Sequence, residues 1–538
     1  MLRMKPPSQL DIFDPWDFLT TKRRQMLETG WPGLFRKHIL PSIPVQKIIP
    51  HFDINQGRPT KELYALIGAL IIQQTNDLTD EETIQQFSFN IQWHYALNIT
   101  EESDAAKYMS LKTLWNIRNI VASNEIDKDI FAACTANLAK VFKVNIEKQR
   151  IDSVHIKSNM RRLSRIGIFS ESICKFLKNL KRQHRDAFIR LDKTLTEKYL
   201  SNDTGGCFAH VKPSESKKTL KEVARDLFDL VQEFRSDAVI SKMYSYKLLH
   251  RVLEEHCNLT DHSDNPVELK PAKDVASDSL QNPSDPDATY SGHKGQGYQV
   301  QIQETYVEQE DNDEDAKPLN LITHVEVEPA HHSDANALIP AIKATEEQDM
   351  KPDKLLADSL YGSDENREEA RKHGVELIAP VMGTVNQDKL TLADFELSDE
   401  GIVTACPAGK RPAKITIKRR INASFEISQC GKCPNLQRCP VKAGKKFYYL
   451  RYSRKQMRLA KLRQYEGTED FKDKYRWRAG VEATMSEYDR RTGVKHLRVR
   501  GMKAVRFCAT LKALGLNILR ATAAMTTRLF QECAICTA

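Results

Sequence analysis

LLADSLYGSDENREEARKHGVELIAPV, residues 355–381, decides the architecture of this chain. With the lysine before it, KLLADS reads as a short strand with Asp358 at its end, DENREEARKHG as a helix ended by Gly374, and VELIAPV as another strand. Strand, helix and strand in succession predict two strands of one sheet with a helix on its face. Upstream, GYQVQIQETYV (297–307) and LITHVEVEP (321–329) read as strands, with a helix expected over 333–348. The acidic EQEDNDEDAKP between the two strands reads as a hairpin tip, since it lacks the glycine and final Glu of a calcium loop at their spacings. Further back, VNIEKQRIDSVHIKSN (144–159) alternates into the β-branched run IDSVHI. Hairpin strands joined to αβ units predict an α/β fold with a mixed sheet.

Around this sheet the sequence is helical. Residues 1–145 carry runs such as TKELYALIGALIIQQ and DEETIQQFSFNIQWHYAL, with Asp80, Glu81 and Glu82 at a helix start and Gly57, Arg58 and Pro59 interrupting before the first run. Residues 160–260 are helical, amphipathic and rather basic, as in ICKFLKNLKRQHRDAFIRL, and the Pro, Ser and Asp-rich stretch at 258–290 reads as a loop or mobile linker. There is no internal repeat.

The 538 residues suffice for two or three domains, because single cores stop growing near roughly 250–300 residues. The start, MLRMKPPSQLDIFDPWDF, is not of signal-peptide type, and ALIGALII (65–72) is too short to span a bilayer, so no membrane association is expected. Eleven cysteines without a secretory signal point to reduced thiols or metal ligands in a cytoplasm. The net charge of +9 is uneven: residues 406–465 hold 17 Lys or Arg and one acid, Glu426. So concentrated a positive block, interleaved with cysteines and aromatics as in KFYYLRYS, is expected to lie against a polyanion such as nucleic acid.

Three acids stand at chemically useful places. Asp152 lies within the first strand, flanked by Ile151 and Val154, where a carboxylate is costly to bury unless paired or bound to a metal. Asp358 lies at a strand end, where loops commonly build sites. Glu482 sits in YRWRAGVEATMSEYDRRTGVKHLRVRG (475–501) at helical spacing from Tyr475 and Arg478. Oxygen ligands of this kind suit Mg²⁺ or Mn²⁺ and phosphodiester chemistry. Each acid also has a plainer reading: Asp152 as a turn cap, Asp358 as the N-cap of the next helix, and Glu482 as an i,i+4 partner of Arg478 contributing a few tenths of a kcal/mol.

In these stretches the chain resembles the bacterial insertion-sequence transposases of the DDE type. GRPTKELYALIGALIIQQ with DLTDEETIQQFSFNIQWHYALNI resembles their helical N-terminal domain, IDSVHIKSN their first-acid motif, YSGHKGQGYQVQIQET their second strand, and LLADSLYGSDENREEARKHGVELIAPV their second-acid motif. The 475–501 stretch is similar to their third-acid helix, with the pattern Tyr, two residues, Arg, three residues, Glu, six residues, Lys. Tyr475, Arg478 and Glu482 fit; the Lys position is Asp489, followed by Arg490 and Arg491. The resemblance implies an RNase H-like core in which Asp152, Asp358 and Glu482 bind metal and Tyr475, Arg478, Arg490 and Arg491 serve the DNA phosphates.

It also implies an organisation. Residues 1–145 would form the helical DNA-recognition domain; 146–160, 286–405 and 466–510 the catalytic core; 161–285 a helical insertion with an acidic linker; 406–465 a basic Cys-rich insertion; and 511–538 a C-terminal helix and tail. The implied activity is cleavage at an element's terminal repeats and transfer of the 3′-hydroxyl ends to target DNA, by a homo-oligomer on double-stranded DNA in a bacterial cytoplasm, at the nucleoid when acting. A nuclease that does not join strands, and a non-catalytic DNA-binding derivative, are the alternatives.

Within the basic segment, Cys406, Cys430, Cys433 and Cys439 are spaced C-x23-C-x2-C-x5-C, a pattern open to a structural Zn²⁺ or to four reduced thiols in a small core. Cys533 and Cys536 form a second C-x-x-C near the end of the sequence. His155 and His293 lie near the three-acid site with no catalytic role assigned, and the adjacent His331 and His332 read as a loop.

Overall fold

The computed structural model of the protein describes residues 4–6, 14–53, 59–200, 212–260, 266–308, 318–383, 386 and 388–537, with the backbone alone at 213 and 528–537. The hairpin tip at 309–317, Gly57, Arg58 and the side chains of Cys533 and Cys536 lie outside the described residues.

A six-stranded mixed sheet holds the molecule together: β1 Lys148–Lys157, β2 Thr289–Ser291, β3 Gly295–Thr305, β4 Ile322–Pro329, β5 Lys354–Leu356 and β6 Glu376–Ile378. The order is β2-β3-β1-β5-β6, with β4 also paired to β3. β1 runs antiparallel to β3 and parallel to β5, and β5 is parallel to β6. The hairpin β3–β4 and the helix-linked β5 and β6 give the mixed α/β sheet expected from the 355–381 stretch, an arrangement consistent with the RNase H-like core that the resemblance implies.

Side-chain alternation along β1 separates two cores. Val154 and Ile156 face a large cluster shared with the N-terminal and C-terminal helices. Ile151 faces a smaller one with α7 Leu338–Glu347 and α8 Asp364–Lys372 below. Both faces of β1 are thus covered, as a central strand requires.

The N-terminal region is built on α1 Leu63–Thr75, buried on nearly every side, and on α2 Asp80–Phe89 and α3 Ile126–Phe142. α2 starts in a capping box between Thr79 and Glu82, with three acids in its first turn, which suits the positive end of the helix dipole. The insertion after β1 packs α4 Arg165–Gln183, α5 Ser216–Phe234 and α6 Tyr244–His256 around their own apolar core. After β6 come a small four-stranded sheet, α9 Arg454–Glu466, α10 Gly480–Thr492 and the long α11 Met502–Thr537.

α11 threads through the assembly. A Cβ on its Gly515 would stand 2.5 Å from Thr75 Oγ1 of α1, so only glycine permits the approach. Asn517 both donates to Ile322 O (2.8 Å) and accepts from Ile322 N (2.8 Å) on β4, completing an otherwise unpaired backbone pair. Arg506 pairs with fully buried Asp127 of α3 at 3.0 Å, and Lys512 bonds Asp77 and Thr492. Among the described residues no helix is long and apolar enough to cross a membrane.

The stretch expected to be a mobile linker is packed where it is described. Leu280 and Asp285 are buried. The Asp285 carboxylate accepts from Tyr298 Oη (2.5 Å), Ser158 Oγ (2.6 Å) and Gly501 N (3.0 Å). Polar composition signals solvent exposure only when the carboxylates lack internal donors, and this one has three.

Two buried histidines make the fold acid-sensitive. Burial pushes His256, on α6, and His324, on β4, down from 6.5 to about 4. Below pH 6.5 the unfolded chain takes up protons that the folded chain refuses until about pH 4. Stability is therefore full above that window and falls as pH drops through it, by up to roughly 1.4 kcal/mol per pH unit per histidine. Thermal melting followed from pH 7.5 to 5 should show a falling Tm, and His324→Gln should flatten the slope.

Candidate active site

The parallel register between β1 and β5 pairs Lys148 with Lys354, Gln149 with Leu355 and Arg150 with Leu356. Two residues beyond the last pair stand Asp152 on β1 and Asp358 just past β5. Neighbouring strands lie about 4.7–4.9 Å apart, and the equal offsets put both acids on the same sheet face. That face is the one covered by α10, which brings Glu482 in its first turn.

Arg478 links two of the three acids. Its Nη2 donates to Asp152 Oδ2 at 2.7 Å and its Nη1 to Glu482 Oε1 at 3.2 Å. The expected i,i+4 pair exists, but the same guanidinium also reaches the central strand. Asp152 Oδ1 accepts from Ser153 N (2.8 Å) and Asp358 Oδ1 from Leu360 N (2.8 Å). Asp358 does not cap the next helix; Ser363 does. Burial raises the proton affinity of Asp152, Arg478 and the Ser153 amide oppose it, and the negative charges of Asp358 and Asp334 add to it. Glu482 is the open member, its side chain 70% exposed against 15% for Asp152.

A buried framework fixes α10 to the sheet. Arg150 Nε donates to Glu304 Oε1 at 2.7 Å and its Nη1 to Trp477 O at 2.7 Å. Glu304, directly opposite Arg150 in the β1–β3 register, also accepts from Thr484 Oγ1 (2.7 Å) and Arg520 Nη1 (3.1 Å). A Cβ at Gly480 would stand 2.1 Å from Arg150 Nη1, so a larger residue there would push the guanidinium away from Glu304 and Trp477 O.

Tyr475 stacks on Phe471 (5.3 Å, 15°), and burial raises its hydroxyl above the usual range, with Arg478, Asp358 and Asp152 among its electrostatic neighbours. Arg490 is exposed, and Arg491 Nε donates to Glu487 at 2.8 Å. At Asp489, Lys495 stands 3.8 Å away and brings a lysine to this position from the following turn. His155 is half-buried, which lowers its proton affinity, and the rings of His331 and His332 meet edge to face at 4.5 Å.

Sequence reasoning missed Asp334. It is buried, accepts from Gln301 Nε2 at 2.8 Å, and stands 3.9 Å from Lys294, whose Nζ also reaches Ser153 Oγ at 3.1 Å. The only signal was an acid between a His pair and a helix, too common to single out.

Asp152, Asp358 and Glu482 offer the hard oxygen donors that Mg²⁺ or Mn²⁺ prefers, and the crowding of negative charge around Asp152 favours a cation there. Among the described residues no three His, Cys, Asp or Glu side chains stand at metal-holding spacing. Between Asp152 and Glu482 the positive charge is that of Arg478.

The basic segment folds as the small sheet β7 Lys414–Ile417, β8 Ile421–Glu426, β9 Lys442–Ala443 and β10 Phe447–Tyr452, ordered β7-β8-β10-β9. Cys406, Cys430, Cys433 and Cys439 border one small cavity beside it. α9 ties this unit to α8 through Arg458 and Asp364 (2.6 Å).

Among known families, residues 405–522 match the Transposase DDE domain and residues 33–119 the Transposase domain (DUF772). The first match takes in the cysteine segment and α10 with Glu482; β1 and β5, with Asp152 and Asp358, lie outside both. No curated protein and no solved structure matches the chain.

Proposed function

From the premise that this chain is an insertion-element transposase of the DDE kind, we propose that it cuts phosphodiester bonds at the ends of its element and joins the freed 3′-hydroxyls to target DNA. The observation that supports the reading is that Asp152 on β1 and Asp358 just past β5 stand at equal offsets from the parallel register, with Glu482 joined to Asp152 through Arg478.

Asp152, Asp358 and Glu482 are the residues that would hold Mg²⁺ or Mn²⁺. A divalent pair, when bound, lowers the pKa of the attacking oxygen and neutralises the leaving one. Arg478, which bonds Asp152 and Glu482, would be free for bidentate contact with a phosphate once those carboxylates held a cation. Tyr475, held by Phe471, directs its hydroxyl as a hydrogen-bond donor to the same backbone. Arg490, Arg491 and Lys495 neutralise flanking phosphates, contacts that position the duplex without reading its sequence. The helical N-terminal region recognises the terminal repeats, and a homo-oligomer holds two ends together.

The test is product analysis. Full-length protein is incubated with Mg²⁺ and a labelled duplex carrying the gene's own flanking DNA, together with a target plasmid. Nicks at the repeat ends and a slower-migrating joined product are expected. Nicks without joined product would reduce the protein to a nuclease.

A further inference from the structure

Residues 406–452 form a unit with few apolar residues to hold it. It contributes five buried side chains, among them Phe425 and Tyr452, to a small cluster completed by Phe395 and Val403 from the preceding segment, and its Lys and Arg are exposed. Small units of this kind usually need a covalent or metal staple. Between Glu426 and Lys442 the chain makes only one helical turn, Ile427–Cys430, and a run of tight turns: Cys433 N to Cys430 O (3.0 Å), Leu436 N to Cys433 O (3.1 Å) and Cys439 N to Leu436 O (3.2 Å). These turns carry three cysteines to one wall of the cavity.

The fourth arrives from the opposite side. Cys406 sits in a turn closed by Gly409 N to Cys406 O (2.7 Å) and Cys406 N to Lys410 O (2.8 Å), with Gly409 at φ +70°. Lys410 N donates to Cys406 Sγ at 3.4 Å. An amide aimed at sulfur is the kind of support found around metal-bound cysteine, whereas burial without a cation holds Cys430 and Cys439 as neutral thiols. The cavity bordered by the four thiols is ≈20 Å³, room for a single ion or water, and its other walls include Phe425 and Leu436. A water there would find few polar partners.

We propose that Cys406, Cys430, Cys433 and Cys439 bind one Zn²⁺ as a tetrathiolate, stapling the turns at 406–410 and 430–439 to the basic sheet. Among the described residues no three such side chains stand at metal-holding spacing, so closing the site takes a rearrangement of the four cysteines around the cavity they border. Soft thiolates in a tetrahedral set select zinc or iron, and zinc is the redox-inert choice for a structural staple. The lysines and arginines of the segment offset the net negative charge of the zinc–thiolate centre. This inference is independent of the cleavage chemistry.

The test uses full-length protein. Elemental analysis should give about one zinc per chain, and a mercurial should release it. Cys433→Ser and Cys439→Ser should lose most of it, whereas Cys174→Ser, in the helical insertion, should keep it. Should the serine variants fail to fold, Co²⁺ reconstitution of the wild type decides: intense thiolate-to-cobalt bands support a tetrathiolate. Trypsin should also cut within 410–451 far faster after chelation. Less than a tenth of a zinc per chain after reconstitution, cobalt spectra without thiolate bands, or iron in place of zinc would each overturn the assignment.

Discussion

Glu482→Gln is expected to abolish strand cleavage while leaving DNA binding and melting temperature nearly unchanged. Altering an outer partner of a metal site typically costs about 10–100-fold, so removing a direct ligand should cost more, on the order of a thousandfold. Glutamine keeps the size and one acceptor oxygen but removes the negative charge that a cation requires. The side chain is 70% exposed and its partner within hydrogen-bonding distance is Arg478, so the fold loses only an exposed i,i+4 pair. Gel-shift and cleavage assays on the same preparation separate the two effects. If wild type and variant bind alike and neither cuts with Mg²⁺ or Mn²⁺, Glu482 is a salt-bridged surface residue and the chain is a DNA-binding derivative. If both cut equally, the third acid lies elsewhere, and Asp334 becomes the residue to test.

Glu304→Ala is expected to destabilise the core by about 3–5 kcal/mol, the usual consequence of removing one partner from a buried ion pair. Its side chain is fully buried and accepts from Arg150, Arg520 and Thr484, so the truncation takes the carboxylate partner from Arg150 and one of two from Arg520, which keeps Glu487 at 2.8 Å. Glu304→Gln, which retains an acceptor for Arg150, should cost less. Because Arg150 also holds Trp477 O, loosening it frees the start of α10. Hydrogen exchange of the α10 amides should therefore rise before global melting, and cleavage should fall at temperatures where the chain is still folded. Unchanged exchange in α10 would show that the helix is held by its apolar face alone.

The strands and the helix at 355–381 were legible because each carries a local period and a terminating residue. So were the N-terminal helices, whose capping box at Thr79 is a local motif. The pairing of Asp152 with Asp358 was legible only through the family resemblance, because it depends on a parallel register between segments some two hundred residues apart in sequence, set by burial on both faces. The double contact of Arg478 was half legible: helical spacing predicts Glu482, and nothing in spacing predicts Asp152. Asp285 shows the opposite failure, a carboxylate in a polar stretch whose donors come from β1, β3 and the turn before α11. Convergence of four cysteines on one cavity likewise follows from turns that spacing alone does not specify.

The threading of α11 sets an order of events during synthesis. Its residues close against α1, α3 and β4, all of which leave the ribosome long before it does. Until α11 emerges, the apolar sides of those elements have no partner, and contacts across so long a separation form slowly. A chain made only as far as β4 therefore exposes those apolar sides, and the three acids cannot come under one roof before α10 has been made.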